Sequence, residues 1–158
     1  MRVVTGAPPS KDELLRREDR AWAELHDLLE QLTPEELQED GYYPDWSVKD
    51  LMAHYGDWMA MAATMLERMR LGTYTGWDED TDALNREWHQ TWRGADLDAV
   101  TAHLHAARAR MLEEWDLLPP DRVDDEARDW FLESSAGHND EHVPRLREWI
   151  GELRSGSA

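Results

Sequence analysis

Residues 127–153 read ARDWFLESSAGHNDEHVPRLREWIGEL, and within them Ala127, Trp130, Ser134, His138, His142, Leu146, Trp149 and Leu153 recur at steps of three or four. That spacing predicts one amphipathic helix opening near Asp124 or Asp125, with the stripe turned to a core. Polar side chains hold its three central positions. Residues four apart on a helix are offset by about 40° and rise about 6 Å, so His138 and His142 project from adjacent turns toward one point. Such pairs are common on solvated helix faces. Here the pair lies on the line joining Trp130 to Trp149, and exposing it would expose the stripe as well.

Upstream, three further segments carry the same helical period, and none alternates as a strand does. Ser10 with Glu13 forms a capping-box signature before Leu15, Trp22, Leu25, Leu29 and Leu32, and this helix ends ahead of Thr33-Pro34. GYYPDW (41–46) turns the chain. Ser47 with Asp50 then opens a second helix that places Leu51, His54, Trp58, Met61 and Met65 on one line. A third runs from about Asp96 to Leu118, with Leu97, Val100, Leu104, Ala107, Met111 and Trp115 in register, until Pro119-Pro120 stops it. The fold class is therefore all-α, a four-helix bundle in one domain over 1–158 with its core at about 10–153. Between the second and third helices lies TYTGWDEDTDALNREWHQTW (73–92), aromatic and acidic, which reads as a connecting loop too long for an ordinary bundle and suited to covering a site.

Composition removes several function classes. A formal charge of −18 makes direct nucleic-acid binding costly, since that depends on Lys and Arg neutralising phosphates. Arginine outnumbers lysine, but the arginines are scattered and form no basic patch. The chain has no cysteine, so thiolate ligands, disulfides and a cysteine nucleophile are all excluded, and any thiol chemistry needs an outside thiol. No apolar run reaches membrane-span length, which implies a cytoplasmic protein without membrane association. Dimerisation through a helix face is compatible with the apolar stripes.

A cation meeting His138 and His142 needs a third ligand from a neighbouring helix, and His54 inside the second stripe is the best-placed candidate. Three protein ligands leave a position free for water or substrate, as catalytic sites require. Asp57, one turn beyond His54, and Glu141, between the paired histidines, are candidates to orient an imidazole or act as a base. His26, His89, His103 and His105 read as solvated. Pro144 should bend the last helix just past the site. Nine tryptophans suit a flat aromatic pocket, and Trp58, Trp88, Asn85 and Ser134 are the expected substrate contacts.

DWSVKDLMAHYGDW (45–58) with GHNDEHVPRLREW (137–149) resembles the DinB-like superfamily, which includes mycothiol-dependent maleylpyruvate isomerase-like and ClbS/DfsB-like proteins. The resemblance implies an up-down-down-up bundle with one divalent ion on His54, His138 and His142, zinc or nickel first and iron or manganese also suited to imidazole. SKDELLRR (10–17) and DALNREW (82–88) look most like the ClbS/DfsB-like branch, associated with self-protection against a reactive natural product. The isomerase-like branch uses bacterial low-molecular-weight thiols, though its ligand pattern has glutamate where this chain has His138. Two functions follow from the resemblance. One is a metal-dependent hydrolase or thiol S-transferase acting on an electrophilic small molecule; the other is a sequestering protein that holds such a molecule in a tryptophan-lined pocket.

Overall fold

Helix starts in the computed structural model, which describes residues 6–156, stand where the caps are. Helix α1 (Lys11–Leu29) opens on Ser10, whose hydroxyl accepts from the Glu13 amide at 3.1 Å while Glu13 accepts from the Ser10 amide. Thr33 and Glu36 repeat the box for the short α2 (Pro34–Gln38), and Ser47 with Asp50 does so for α3 (Val48–Leu71). At the far end of α3, Gly72 adopts φ 75°, the left-handed conformation that closes a helix and that glycine takes without steric cost.

Cross-helix contacts give the directions. Between α3 and α5 (Leu97–Leu117), Lys49 donates to the Ala95 carbonyl just before α5, Asp57 meets His103, and Arg70 pairs with Glu114. Residue numbers rise together, so α3 and α5 run parallel. The same holds for α1 and α7 (Ala136–Ser155), where Asn139 donates to the Ala21 carbonyl at 2.6 Å and Arg154 to that of Gln31. Helix α1 opposes α5, since Lys11 reaches the Leu118 carbonyl and Glu18 pairs with Arg108. The order is up-down-down-up.

Parallel neighbours need a return crossing. Helix α3, at 24 residues, is about 36 Å long, and the chain must travel back along it before α5 can begin. The 73–92 stretch makes that crossing, and it is not simply a loop: Asp80 accepts from the Ala83 amide and caps α4 (Thr81–Trp92). Helix α4 contains no buried residue, and although Leu84, Trp88 and Trp92 recur at four-residue steps, the acidic run and Gly76 ahead of them read as a connection.

A second correction concerns the last helix, which is two. Helix α6 (Asp125–Glu133) stops at Ser134-Ser135, and α7 resumes at Ala136. Serine and glycine are weak helix formers, and the Ser135 hydroxyl donates to the Phe131 carbonyl at 2.6 Å, an acceptor left over by the interruption. Helix α7 continues as one helix through Pro144, so the interruption lies upstream of the histidine pair and not at the proline.

Leu14, Leu66, Leu104, Met111 and Leu146 are fully buried, and Trp115 stacks on Phe131 with centroids 4.2 Å apart. On α1 the buried stripe is turned one residue from the expected one, through Leu14 rather than Leu15, and it includes Glu18, which is 0% exposed. Arg108 meets that carboxylate with two hydrogen bonds of 2.6 and 2.8 Å, which compensates its removal from water. Among the described residues no helix is long and apolar enough to cross a membrane.

Candidate metal centre

The antiparallel contact of α3 with α7 brings together the three histidines singled out in the sequence. Ring centroids are 5.0 Å apart for His54 and His138, 5.1 Å for His54 and His142, and 5.6 Å for His138 and His142. One ring nitrogen from each lies within 4.8 Å of the other two, and no other group of three potential ligands does so among the described residues. Tyr55, the residue after His54, donates through its hydroxyl to Oδ1 of Asn139, the residue after His138. Asn139 in turn donates to the Ala21 carbonyl, which ties this turn of α7 to both neighbours.

All three rings are held neutral. Burial, with the nearby His138 and His142 adding to it, pushes the His54 pKa down to about 3. Burial and then His142 push His138 down to about 4, against the Ser134 carbonyl, which lies near the ring without reaching hydrogen-bond geometry. His142 is also lowered by burial, with the Glu141 carboxylate opposing. A neutral imidazole offers the lone pair that a metal needs. Nδ1 of His138 and both ring nitrogens of His142 are buried and have no hydrogen-bond partner. Orphaned buried donors of this kind are costly, and a divalent cation is the group that this convergent, all-imidazole set fits.

His54 and His138 form the floor of a cavity of about 590 Å³. They line it together with Trp58, Asn85 and Ser134, three of the expected substrate contacts. Trp58 donates from Nε1 to Asn85 Oδ1 at 2.9 Å, which fixes the amide of α4 over the floor. The fourth expected contact, Trp88, packs edge-on behind Trp58 and lines a void of about 10 Å³ instead. Trp77 and Trp130, which were not among the expected substrate contacts, complete the wall with centroids 5.1 Å apart. A second cavity of about 350 Å³ reaches His142 from the side of Tyr42, Tyr43 and Trp46, and His54, Asn85 and Glu141 line both.

Of the two candidate bases, Glu141 is exposed at the cavity, 3.9 Å from Nε2 of His142. Asp57 is buried, and its Oδ1 accepts from Nε1 of Trp92 at 3.0 Å and meets Nε2 of His103 at 3.0 Å. The structure thus revises two histidines expected to be solvated. His103 stacks on Trp92 and anchors α4 to Asp57, and His89 lies flat on Trp46 at 4.6 Å with its buried Nε2 3.7 Å from Asp50. The signal for the first was Gly56: a Cβ there would stand 2.7 Å from Cδ2 of His103, so glycine makes room for the ring. His26 and His105 meet edge-on beside Trp22, the first half-buried and the second exposed.

A family model, described as the mycothiol maleylpyruvate isomerase N-terminal domain, matches residues 19–149. The chain belongs to that family. Mycothiol maleylpyruvate isomerase N-terminal domains are DinB-like, as the bundle order and the two histidine-bearing motifs imply. The fold is similar to that of a solved structure, the crystal structure of an uncharacterised protein from Escherichia coli UTI89, with TM-score 0.75 and 18% identity over 93% of this chain and 96% of that one. No curated protein matches this chain. The donor set of this chain is three imidazoles, with the buried Nδ1 of His138 unpartnered.

Proposed function

We propose that this chain is a divalent-metal-dependent enzyme that joins a low-molecular-weight thiol to an electrophilic small molecule, a detoxifying reaction of the cytoplasm. The observation that carries the reading is the convergence of three neutral imidazoles, those of His138 and His142 with buried unpartnered nitrogens, beside a tryptophan-walled cavity that His54 and His138 line. A divalent ion held by His54, His138 and His142 supplies a Lewis acid that lowers the pKa of a thiol or water beside it. The remaining work belongs to the chain. Glu141 stands at the cavity as the acceptor for the proton the nucleophile loses. Asn85, with its oxygen taken by Trp58, keeps its amide hydrogens to orient the electrophile. The Trp58 wall excludes water from the face where the carbon–sulfur bond forms, while the electrophile's own bond opens and its released anion takes up the proton.

The absence of cysteine agrees with a nucleophile arriving from solution, and the family name supports a thiol in that role. Maleylpyruvate, a dicarboxylate, is not carried over as substrate, because five carboxylates and no lysine or arginine line the cavity. The likeness to ClbS/DfsB-like proteins supports a strained-ring natural product as the kind of electrophile.

Elemental mass spectrometry on untagged protein, beside a His138→Ala/His142→Ala variant, tests the metal. About one ion per chain, lost in the variant, is the expected result. Turnover of epoxide, aziridine and enone panels should then require added thiol. Turnover without thiol would make the protein a hydrolase. No metal even after reconstitution, with binding intact, would make it a sequestering protein.

A further inference from the structure

The chemistry of the cavity lining specifies the charge of its ligand. Asp82 of α4, Glu126, Asp129 and Glu133 of α6, and Glu141 of α7 bring carboxylates from three helices to one opening. No lysine or arginine lines it; Arg17 and Arg20 line a separate groove that shares only Glu133 and Gly137 with the cavity. The wall behind this rim is aromatic. Trp58 donates its indole N–H to Asn85, and Trp130 donates its own to the Tyr74 hydroxyl. What these two rings have left to offer is π surface, which attracts cations. Deeper, near the histidine floor, Ser134 is 4% exposed, lines the cavity, and its hydroxyl has no hydrogen-bond partner among the described residues. Open to the cavity rather than sealed in the core, that hydroxyl is free to bond a polar group of the ligand. The space, about 590 Å³, is in the range of sites for drug-sized molecules.

The geometry points to a substrate that is a cation with an aromatic or otherwise apolar body, an ammonium-bearing molecule whose charge sits between the tryptophan wall and the carboxylate rim while a polar group reaches Ser134. This rests on the cavity being the substrate site of the proposed enzyme, and it names the class that site takes. The overall charge of −18 acts in the same sense, gathering cations and repelling carboxylic acids before contact.

Calorimetric titration of metal-loaded protein with benzyltrimethylammonium, hydrocinnamyl alcohol and hydrocinnamate tests the assignment, since the three share a phenyl body and differ in charge. The cation should bind at least about tenfold tighter than the alcohol, with the anion weakest, and its advantage should shrink as salt is raised. A Glu126→Gln/Asp129→Asn/Glu133→Gln variant should lose at least about threefold of that advantage, while Trp77→Leu should weaken the cation more than the alcohol. Equal or tighter binding of hydrocinnamate, or an unchanged preference in the rim variant, would overturn it. The preference should survive in the His138→Ala/His142→Ala variant. Loss of the metal reading therefore shows in ion content and turnover, and loss of this one in the order of the three affinities.

Discussion

The hydroxyl of Tyr55 donates to Oδ1 of Asn139 at 3.0 Å, and each of these residues directly follows a histidine of the triad. The bond sets the register of α3 against α7 at the level of the donor set, and it does so with both partners buried. Tyr55→Phe leaves Asn139 Oδ1 without its donor and should cost about 1–3 kcal/mol in urea unfolding of chelated protein. Metal affinity, read by competition with a chromophoric chelator, should fall by about tenfold because the rings lose their fixed spacing.

Arg108 and Glu18 make a different kind of bond, one between charges. Arg108→Met leaves a carboxylate that is 0% exposed without its guanidinium, and unfolding free energy should fall by about 3–5 kcal/mol. The double variant Glu18→Leu/Arg108→Met should recover most of that loss, because the remaining space is apolar. Metal content should be the same in all three proteins, as the pair lies on α1 and α5, away from the floor of the cavity.

Gly56→Ala places a methyl group 2.7 Å from Cδ2 of His103 and 3.3 Å from Cα of Leu104. The ring must swing away from Asp57, and with it goes part of the anchor of α4. The expected cost is about 1–3 kcal/mol by thermal or urea unfolding. Hydrogen exchange should rise across Thr81–Trp92 more than across α5, since α4 has no buried residue of its own to hold it down.

Acid should unfold the chelated protein early. His54 and His138 have folded-state pKa values of about 3 and about 4, against 6.5 for an unperturbed ring. Above about pH 6.5 neither state takes up a proton there, and these rings contribute no pH dependence. Below it the unfolded chain binds protons that the folded chain refuses, so stability falls as pH drops from 6.5 toward 4, by about 2 kcal/mol per ring near pH 5. Urea midpoints across that window, compared with His54→Gln/His138→Gln, check the sign: the variant should lose less on acidification.

Helix caps and the shared facing of the histidine pair were legible because each is written locally, while His54 was marked only by its place inside the second apolar stripe. Ser10 with Glu13 and Ser47 with Asp50 are signatures with partners three residues apart, and His138 with His142 declares its facing through helix geometry alone. What the sequence hid depends on distant partners. Helix α4 does carry a short period, Leu84, Trp88 and Trp92, but it is half-covered on one side by α3 and sits in an acidic stretch long enough to pass for a connection. The burial of Glu18 depends on Arg108 of α5, and His103, read as solvated, meets Asp57 of α3 across the space left by Gly56. The break at Ser134-Ser135 fell inside a stripe whose spacing persists through it, so periodicity alone passed over the interruption.

The parallel run of α3 and α5 has an outcome for how such a protein changes. It obliges the chain to lay a strip back along the outside of the bundle, and that strip carries Trp77, Asp82 and Asn85 to the cavity while contributing nothing buried from α4. Floor and facing are thus separately mutable: substitutions in the strip can refit the cavity to a new molecule while the histidine-bearing helices, and the packing that holds them, stay as they are.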